Sequence, residues 1–375
     1  MPFGSEPTEP GTALALSGGG FRAVLFHVGS CIRLNESGVL SGLKRISSVS
    51  GGSIAAGVLA VNWSKLTVDG QGRFTNLDNY FVNPLRAFCG STLDTWSVIL
   101  GAINPFKTAA EEVADKYRSA LGMDVKLKDL SDGGPRFVFN STNLATGSSF
   151  RFSKPYCGDY RIGLLKEHAF DVAFAVGCSS AFPPVLSPVE LELDPDLFTK
   201  TEGADLFDTV EFRQKLQLAD GGVYDNLGLE TVWGRYETIL VSDAGKPFEL
   251  NSSISALWPT QLFQVLNIGM AQALALRKRL LIHQYKSGVS KGTYYGIATH
   301  IADYGVTDGI EVSPQKITEL SEMRTRLDKF SEKEQCELIN WGYAVADAAL
   351  RSKTQWKAPP EGGVRLPHPH FPLTT

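Results

Sequence analysis

The sequence predicts an α/β fold, a largely parallel sheet with helices on its faces. Three observations carry this. The first 62 residues switch in hydrophobic period as strand, helix, strand, helix. Both of those strands stop at turns of small residues that open directly into a helix, Ser17-Gly18-Gly19-Gly20 and Ser48-Val49-Ser50-Gly51-Gly52. Two later apolar runs also end in small-residue turns, at Asp220-Gly221-Gly222 and at Asp243-Ala244-Gly245.

Residues 1–10 are polar and rich in Pro and Gly, which predicts a flexible arm. The apolar run 12–16 is a buried strand. Residues 21–36 place apolar side chains at 24, 25, 28, 31 and 32, a helical spacing, and Gly38 stands where a C-cap belongs. A second strand over 44–49 and a small, very apolar helix over 51–61 complete the unit. In 63–107 the chain is irregular apart from an apolar stretch at 96–103. Thr108 and Glu111 form a capping box for a helix that ends near Gly122. Residues 137–143 and 149–152 flank Ala145-Thr146-Gly147, the pattern of a hairpin. A short helix starts at Asp171 and breaks at Gly177. Strands are expected at 216–218 and 238–242, and a long helix over 260–286 carries Arg277-Lys278-Arg279. Ser331 and Glu334 cap a last helix to about Leu350, and the Pro-rich tail 353–375 is expected to be peripheral.

Composition narrows the function. Of 375 residues, 43% are apolar and 20% charged, too apolar for a disordered chain. The net charge of −4 argues against a general nucleic-acid binder, which needs a basic face. Cys31, Cys89, Cys157, Cys178 and Cys336 are odd in number and lack a CxxC pair. Reduced thiols are therefore expected, with no metal site and no disulfide framework. The N-terminus lacks the charged and then apolar regions of a signal peptide, and the longest clean apolar run, 54–61, is too short to span a bilayer. A cytoplasmic protein is the expectation.

Three motifs could carry chemistry. Ser50 sits on a strand-turn-helix corner, where a hydroxyl projects from the sheet edge if the neighbours Ser48 and Gly52 are small. Alone, the pentapeptide reads rather as an N-cap serine opening an apolar helix. Gly18, Gly19 and Gly20, with Arg22 behind them, leave backbone N–H groups open at the positive end of a helix, a nest for an oxyanion or a phosphate. Three glycines carry an entropic cost that a plain turn does not require. A dinucleotide site is disfavoured, because no acidic residue ends the next strand, and no Gly-Lys-Ser/Thr makes a P-loop. Asp220, at a strand end before two glycines, could reach a serine on a neighbouring strand and take its proton. Alone, Asp-Gly is a common turn pair.

Taken in order, these motifs resemble the patatin-like phospholipase family: Gly18-Gly19-Gly20-x-Arg22, then Ser48-x-Ser50-x-Gly52, then Asp220-Gly221-Gly222. Cys178-Ser179-Ser180-Ala181-Phe182-Pro183-Pro184 resembles the family's Ser/Ala-rich segment with its Pro-rich exit. The resemblance covers roughly residues 12–245, and it departs at Ser48, where the family's elbow usually has Gly. It implies a three-layer α/β/α fold with a mainly parallel sheet, a catalytic domain over 11–352, and a Ser-Asp dyad. In that dyad Ser50 is the nucleophile and Asp220 the base. Gly18–Gly20 would supply the oxyanion hole, with Arg22 supporting the loop or meeting a lipid phosphate. Acyl transfer from a phospholipid or other acyl-ester lipid to serine and then water needs no cofactor.

Two rivals remain. A Ser-His-Asp hydrolase could draw on His27, His168, His283 or His300. A lipid-binding module could carry a silent elbow. Transient contact with a membrane surface is expected from a lipid substrate, with residues 96–103 and Arg277-Lys278-Arg279 as candidate patches. Head group, chain length and oligomeric state are open at this level.

Overall fold

The computed structural model describes residues 8–91, 109–184, 186–360 and 362–374. The chain runs through β1 (Glu9–Leu16), α1 (Gly20–Glu36), β2 (Arg45–Ser48), α2 (Gly51–Asn62), α3 (Asn83–Cys89) and α4 (Ala109–Leu121). It continues through β3 (Arg136–Asn143), β4 (Ser148–Ser153), β5 (Tyr156–Asp159), β6 (Gly163–Leu165), α5 (Val172–Ser179), β7 (Val189–Glu192), β8 (Phe198–Thr199) and β9 (Lys215–Asp220). After these come α6 (Gly222–Asp225), β10 (Tyr236–Asp243), α7 (Trp258–Ser287), β11 (Lys291–Gly296), α8 (Pro314–Glu322) and α9 (Glu332–Lys353).

The sheet order is β11-β10-β1-β2-β3-β4-β5-β6-β8, with β9 pairing β3 and β7. From β11 to β3 all pairs are parallel, with Leu16 opposite both Ser242 and Ser48. Beyond β3 the pairs are antiparallel. Central parallel strands are covered on both faces, so β1 is apolar without a break over 13–16 and β10 over 239–241. Alternation along β1 divides two cores. Leu14 and Leu16 join the larger one, with α1, α2 and α9. Ala13 and Ala15 join the other, with Ile239, Val241, Trp233 and Leu281 of α7. The result is a three-layer α/β/α arrangement.

Most expected elements are present, with shifted ends. The first strand begins at Glu9, and α5 runs through Gly177 to Ser179. Gly38, at φ 68°, terminates α1 as expected. The capping box of Ser331 and Glu334 is formed at α9. Thr108 and residues 96–103 lie outside the described residues. The short strands β5 to β8, the edge strand β11 and helices α3, α6 and α8 go beyond the expected elements, with α3 inside the stretch read as irregular. The edge strand reads Lys-Gly-Thr-Tyr-Tyr-Gly, with no apolar run to announce it. After α9 the chain is fastened along the surface: Asn340 donates to the carbonyls of His368 and Phe371, and Leu373 is buried.

The strand pairing around β3 positions the site. The far edge of β3 is taken by β4 throughout Val138–Asn143, so β2 and β9 share the near edge. Strand β2 ends at Ser48 opposite Phe139, and β9, running the other way, ends at Asp220 opposite Ser141. The two strands meet end to end. The residues just past each strand end are therefore thrown into the same place.

Candidate active site

Two residues past the end of β2, Ser50 has φ 51° and ψ −119°, and it is the one non-glycine residue with positive φ among the described residues. Such a conformation costs on the order of 1–3 kcal/mol and persists only when its surroundings hold it. Here the Ser50 N–H donates to both the carbonyl and the hydroxyl of Ser179 at 3.2 and 3.1 Å. Val49 N–H donates to the Leu16 carbonyl, and the Ser50 carbonyl accepts from Ser53 and Ile54 as α2 begins. The corner also needs small neighbours. A Cβ on Gly52 would stand 2.5 Å from the Leu16 carbonyl oxygen, so no side chain fits there. Ser48 does fit: it is fully buried, donating to the Val138 carbonyl and accepting from Ser53. Its hydroxyl is satisfied in place of the family's glycine.

Asp220 is 2% exposed. It lines the same cavity as Ser50, and its carboxylate accepts the Gly222 N–H at 2.7 Å. The backbone around it is pinned by Ala181, which accepts its N–H, and by Thr142, which donates to its carbonyl. Burial pushes the carboxyl up from 3.8 to about 6, against the opposing pull of the Gly222 N–H and the nearby Ser50 hydroxyl.

The glycine nest closes onto the same corner. Gly19 and Gly20 have φ 142° and 59°, open only to glycine at low cost. Gly51 lies so close to Gly20 that a Cβ on it would be 2.2 Å from the Gly20 carbonyl oxygen. Thus the N-termini of α1 and α2 touch, and both dipoles point at one spot. Among the described residues no group accepts from the N–H of Gly19, Gly20 or Gly51. The expectation for Gly18 needs correction. Its N–H donates to the Asn226 carbonyl at 3.1 Å, so that donor is already taken.

Arg22 also differs from one of its two expected roles. It is fully buried, and its guanidinium donates to the carbonyls of Ser321, Met323 and Ala244 at 2.7–2.8 Å. Burial lowers it to about 10, with Asp243 acting in the opposite sense. It braces the nest from behind and is enclosed away from any phosphate.

The two corners open into a cavity of about 1300 Å³. Gly19, Gly20, Ser50, Gly51 and Asp220 line it, together with apolar side chains that include Ile54, Phe182, Leu186, Met270, Leu274 and Leu327. No histidine is among the lining residues. His27 is buried elsewhere, its Nε2–H donating to the Ser17 carbonyl while Nδ1 accepts from Ser242, and burial lowers it to about 4. His168 donates to the Ser153 carbonyl, and His283 and His300 are exposed. Of the basic triplet, Arg277 pairs with Asp225 and Glu230, and Lys278 with Asp243, so two of the three face inward.

Sequence reasoning missed the cavity wall formed by α7 and read Asp243 only as a strand end, whereas its carboxylate accepts from Tyr294 and Lys278 beside the cavity. The available signal was the absence of any charge over residues 250–276. It also missed the part played by Ser179, one member of a Ser/Ala-rich run in the sequence, whose hydroxyl holds the strained Ser50 amide.

A family model described as patatin-like phospholipase matches residues 14–233, more than half of the chain. A lysophospholipase of Kluyveromyces lactis is 25% identical over 155 residues, 36% of this chain and 24% of that protein, so the chain spans less than a quarter of that relative. Among solved structures, human GIVD cytosolic phospholipase A2 is similar over 89% of this chain and 60% of its own, at 14% identity and a TM-score of 0.49. VipD from Legionella pneumophila is similar over 91% and 66%, at 15% identity and a TM-score of 0.38. Scores of this size carry no argument about fold by themselves. The family match spans the three motif blocks that the structure gathers around one cavity, and the chain belongs to the patatin-like phospholipase family.

Proposed function

We propose that the chain is a lipid acyl hydrolase of the phospholipase A or lysophospholipase type, working through Ser50 and Asp220. The observation that carries this reading is the placement of Ser50 and the buried Asp220 together on the lining of one cavity, beside N–H donors with no partner among the described residues. In the first half-reaction Ser50 Oγ attacks the ester carbonyl carbon while its proton passes to Asp220. The tetrahedral oxyanion is held by the N–H groups of Gly19, Gly20 and Gly51 at the ends of two helix dipoles. Collapse breaks the ester C–O bond, and the leaving alkoxide takes the proton from Asp220. Water then attacks the acyl-serine, giving its proton to Asp220. The fatty acid leaves, and Ser50 recovers its proton. A carboxyl near 6 is ionised at neutral pH yet basic enough to share a proton in the transition state.

Apolar lining suits an acyl chain in the cavity. Transient contact with a lipid surface belongs to the same reading, since the substrate is drawn from one. The Ser-His-Asp alternative has no histidine in the cavity to draw on. Lipid mass spectrometry of phospholipid vesicles incubated with wild type and Ser50→Ala tests the proposal. Free fatty acid and lysolipid should accumulate with wild type alone. Intact lipids with both proteins, while the vesicles stay bound, would favour a silent lipid-binding module.

A further inference from the structure

Helix α7 turns a mixed polar and apolar side to the cavity and leaves an apolar side uncovered. At about 100° per residue, Gln264, Asn267, Met270, Ala271, Leu274 and Lys278 fall on one side, and all of them line the cavity. Trp258, Leu262, Val265 and Leu276 fall on the opposite side, where each is 53–75% exposed. Seventeen large hydrophobic residues are exposed among the described residues, and eleven of them lie between Phe248 and Leu280. Solvent-facing apolar residues scattered singly need no explanation, but a contiguous stripe does.

We propose that this outer face of α7, with the loop leading into it, is the surface by which the protein docks on a lipid bilayer. Charge and position identify the occupant. Residues 250–276 contain no Asp, Glu, Lys, Arg or His. Lipid hydrocarbon penalises every charge, whereas a protein partner is met through a polar and charged rim. An indole at the first turn, Trp258, suits the headgroup boundary. The same helix forms the cavity wall, so the docking face and the cavity that holds Ser50 share one element. Among the described residues no helix is long and apolar enough to cross a membrane, so α7 lies on the surface and does not span it. Attraction is apolar: the net charge is −4, and Arg277 and Lys278 are already paired inward. The inference rests on the hydrolase reading for its choice of lipid, and the two are separable by experiment.

The test uses vesicles of zwitterionic diether phosphatidylcholine, which has no ester to cleave, and a soluble short-chain ester measured in parallel. Wild type should bind the vesicles equally at low and high salt, and brominated lipid should quench fluorescence that disappears in Trp258→Phe. Leu262→Glu/Val265→Glu should weaken binding by at least about tenfold, the loss expected for one buried Leu, with soluble-ester turnover unchanged. Leu262→Gln/Val265→Gln carries the same prediction if the charges disturb the helix. Unchanged vesicle binding in both double variants overturns the proposal. So does self-association through this face without any vesicle binding. Absence of soluble-ester turnover in wild type, with vesicles still bound through α7, would instead refute the hydrolase reading and leave the docking face standing.

Discussion

Replacing Asp220 by Asn should abolish turnover and at the same time stabilise the protein. The carboxyl is raised from 3.8 to about 6 by burial. A raised carboxyl pKa means that the folded state holds its proton more tightly than the unfolded state does. The neutral acid is tolerated in the fold, so Asp220 is harmless below about pH 4. As pH rises through about 6 the folded state must carry a buried charge, and stability falls. A shift of that size corresponds to roughly 3 kcal/mol, at about 1.4 kcal/mol per pKa unit. Asn keeps the Oδ1 acceptor for the Gly222 N–H and cannot ionise. Asp220→Asn should therefore exceed wild type by up to roughly 3 kcal/mol at about pH 8, with the advantage fading to nothing near pH 4. Urea unfolding of both proteins across that range measures it. An Asn variant no more stable than wild type at high pH, or an advantage of equal size at low pH, would refute the argument that burial sets the proton affinity of this base.

The same geometry sets four further outcomes. Turnover of a soluble ester should rise about tenfold per pH unit up to about 6 and then level off, because the base must be ionised; a flat acid limb would count against Asp220. Ser50→Gly should melt higher than Ser50→Ala by an amount equivalent to about 1 kcal/mol or more, since only glycine relieves φ 51°, and equal melting would argue against a strained corner. Arg22→Met leaves three carbonyls without their donor and should destabilise by on the order of 3–5 kcal/mol, with Lys a poor substitute, as denaturant titration would show. Gly52→Ala places a methyl 2.5 Å from the Leu16 carbonyl oxygen, and should cut kcat at least about a hundredfold while circular dichroism stays unchanged.

The legible part of the sequence was local. A strand that stops at glycines and opens into a helix is a short-range signal, so β1, α1, β2 and α2 and the corner at Ser50 were all accessible from it. Asp220 was accessible only as a strand end. Its meeting with Ser50 depends on two strands sharing one edge of β3 from opposite directions, and Asp220 lies 170 positions along the chain. No local pattern encodes a pairing of that range. Side-chain direction was equally hidden. Arg22 follows the glycines in a way that suits an exposed anion contact or a buried brace, and only the packing of residues 321–323 against it decides for the brace. For α7 the extent was readable from periodicity, but a helix uncharged over most of its length looks like a buried one until its neighbours are known.

Covalent trapping tests the central claim most directly. An alkyl fluorophosphonate should phosphonylate wild type at a single site, with the added mass mapped by peptide mass spectrometry to Ser50. Ser50→Ala should remain unlabelled, and Asp220→Asn should react at least about a hundredfold more slowly. An adduct on another residue, or labelling of Asp220→Asn at the rate of wild type, would contradict the assignment of Ser50 as the nucleophile activated by Asp220.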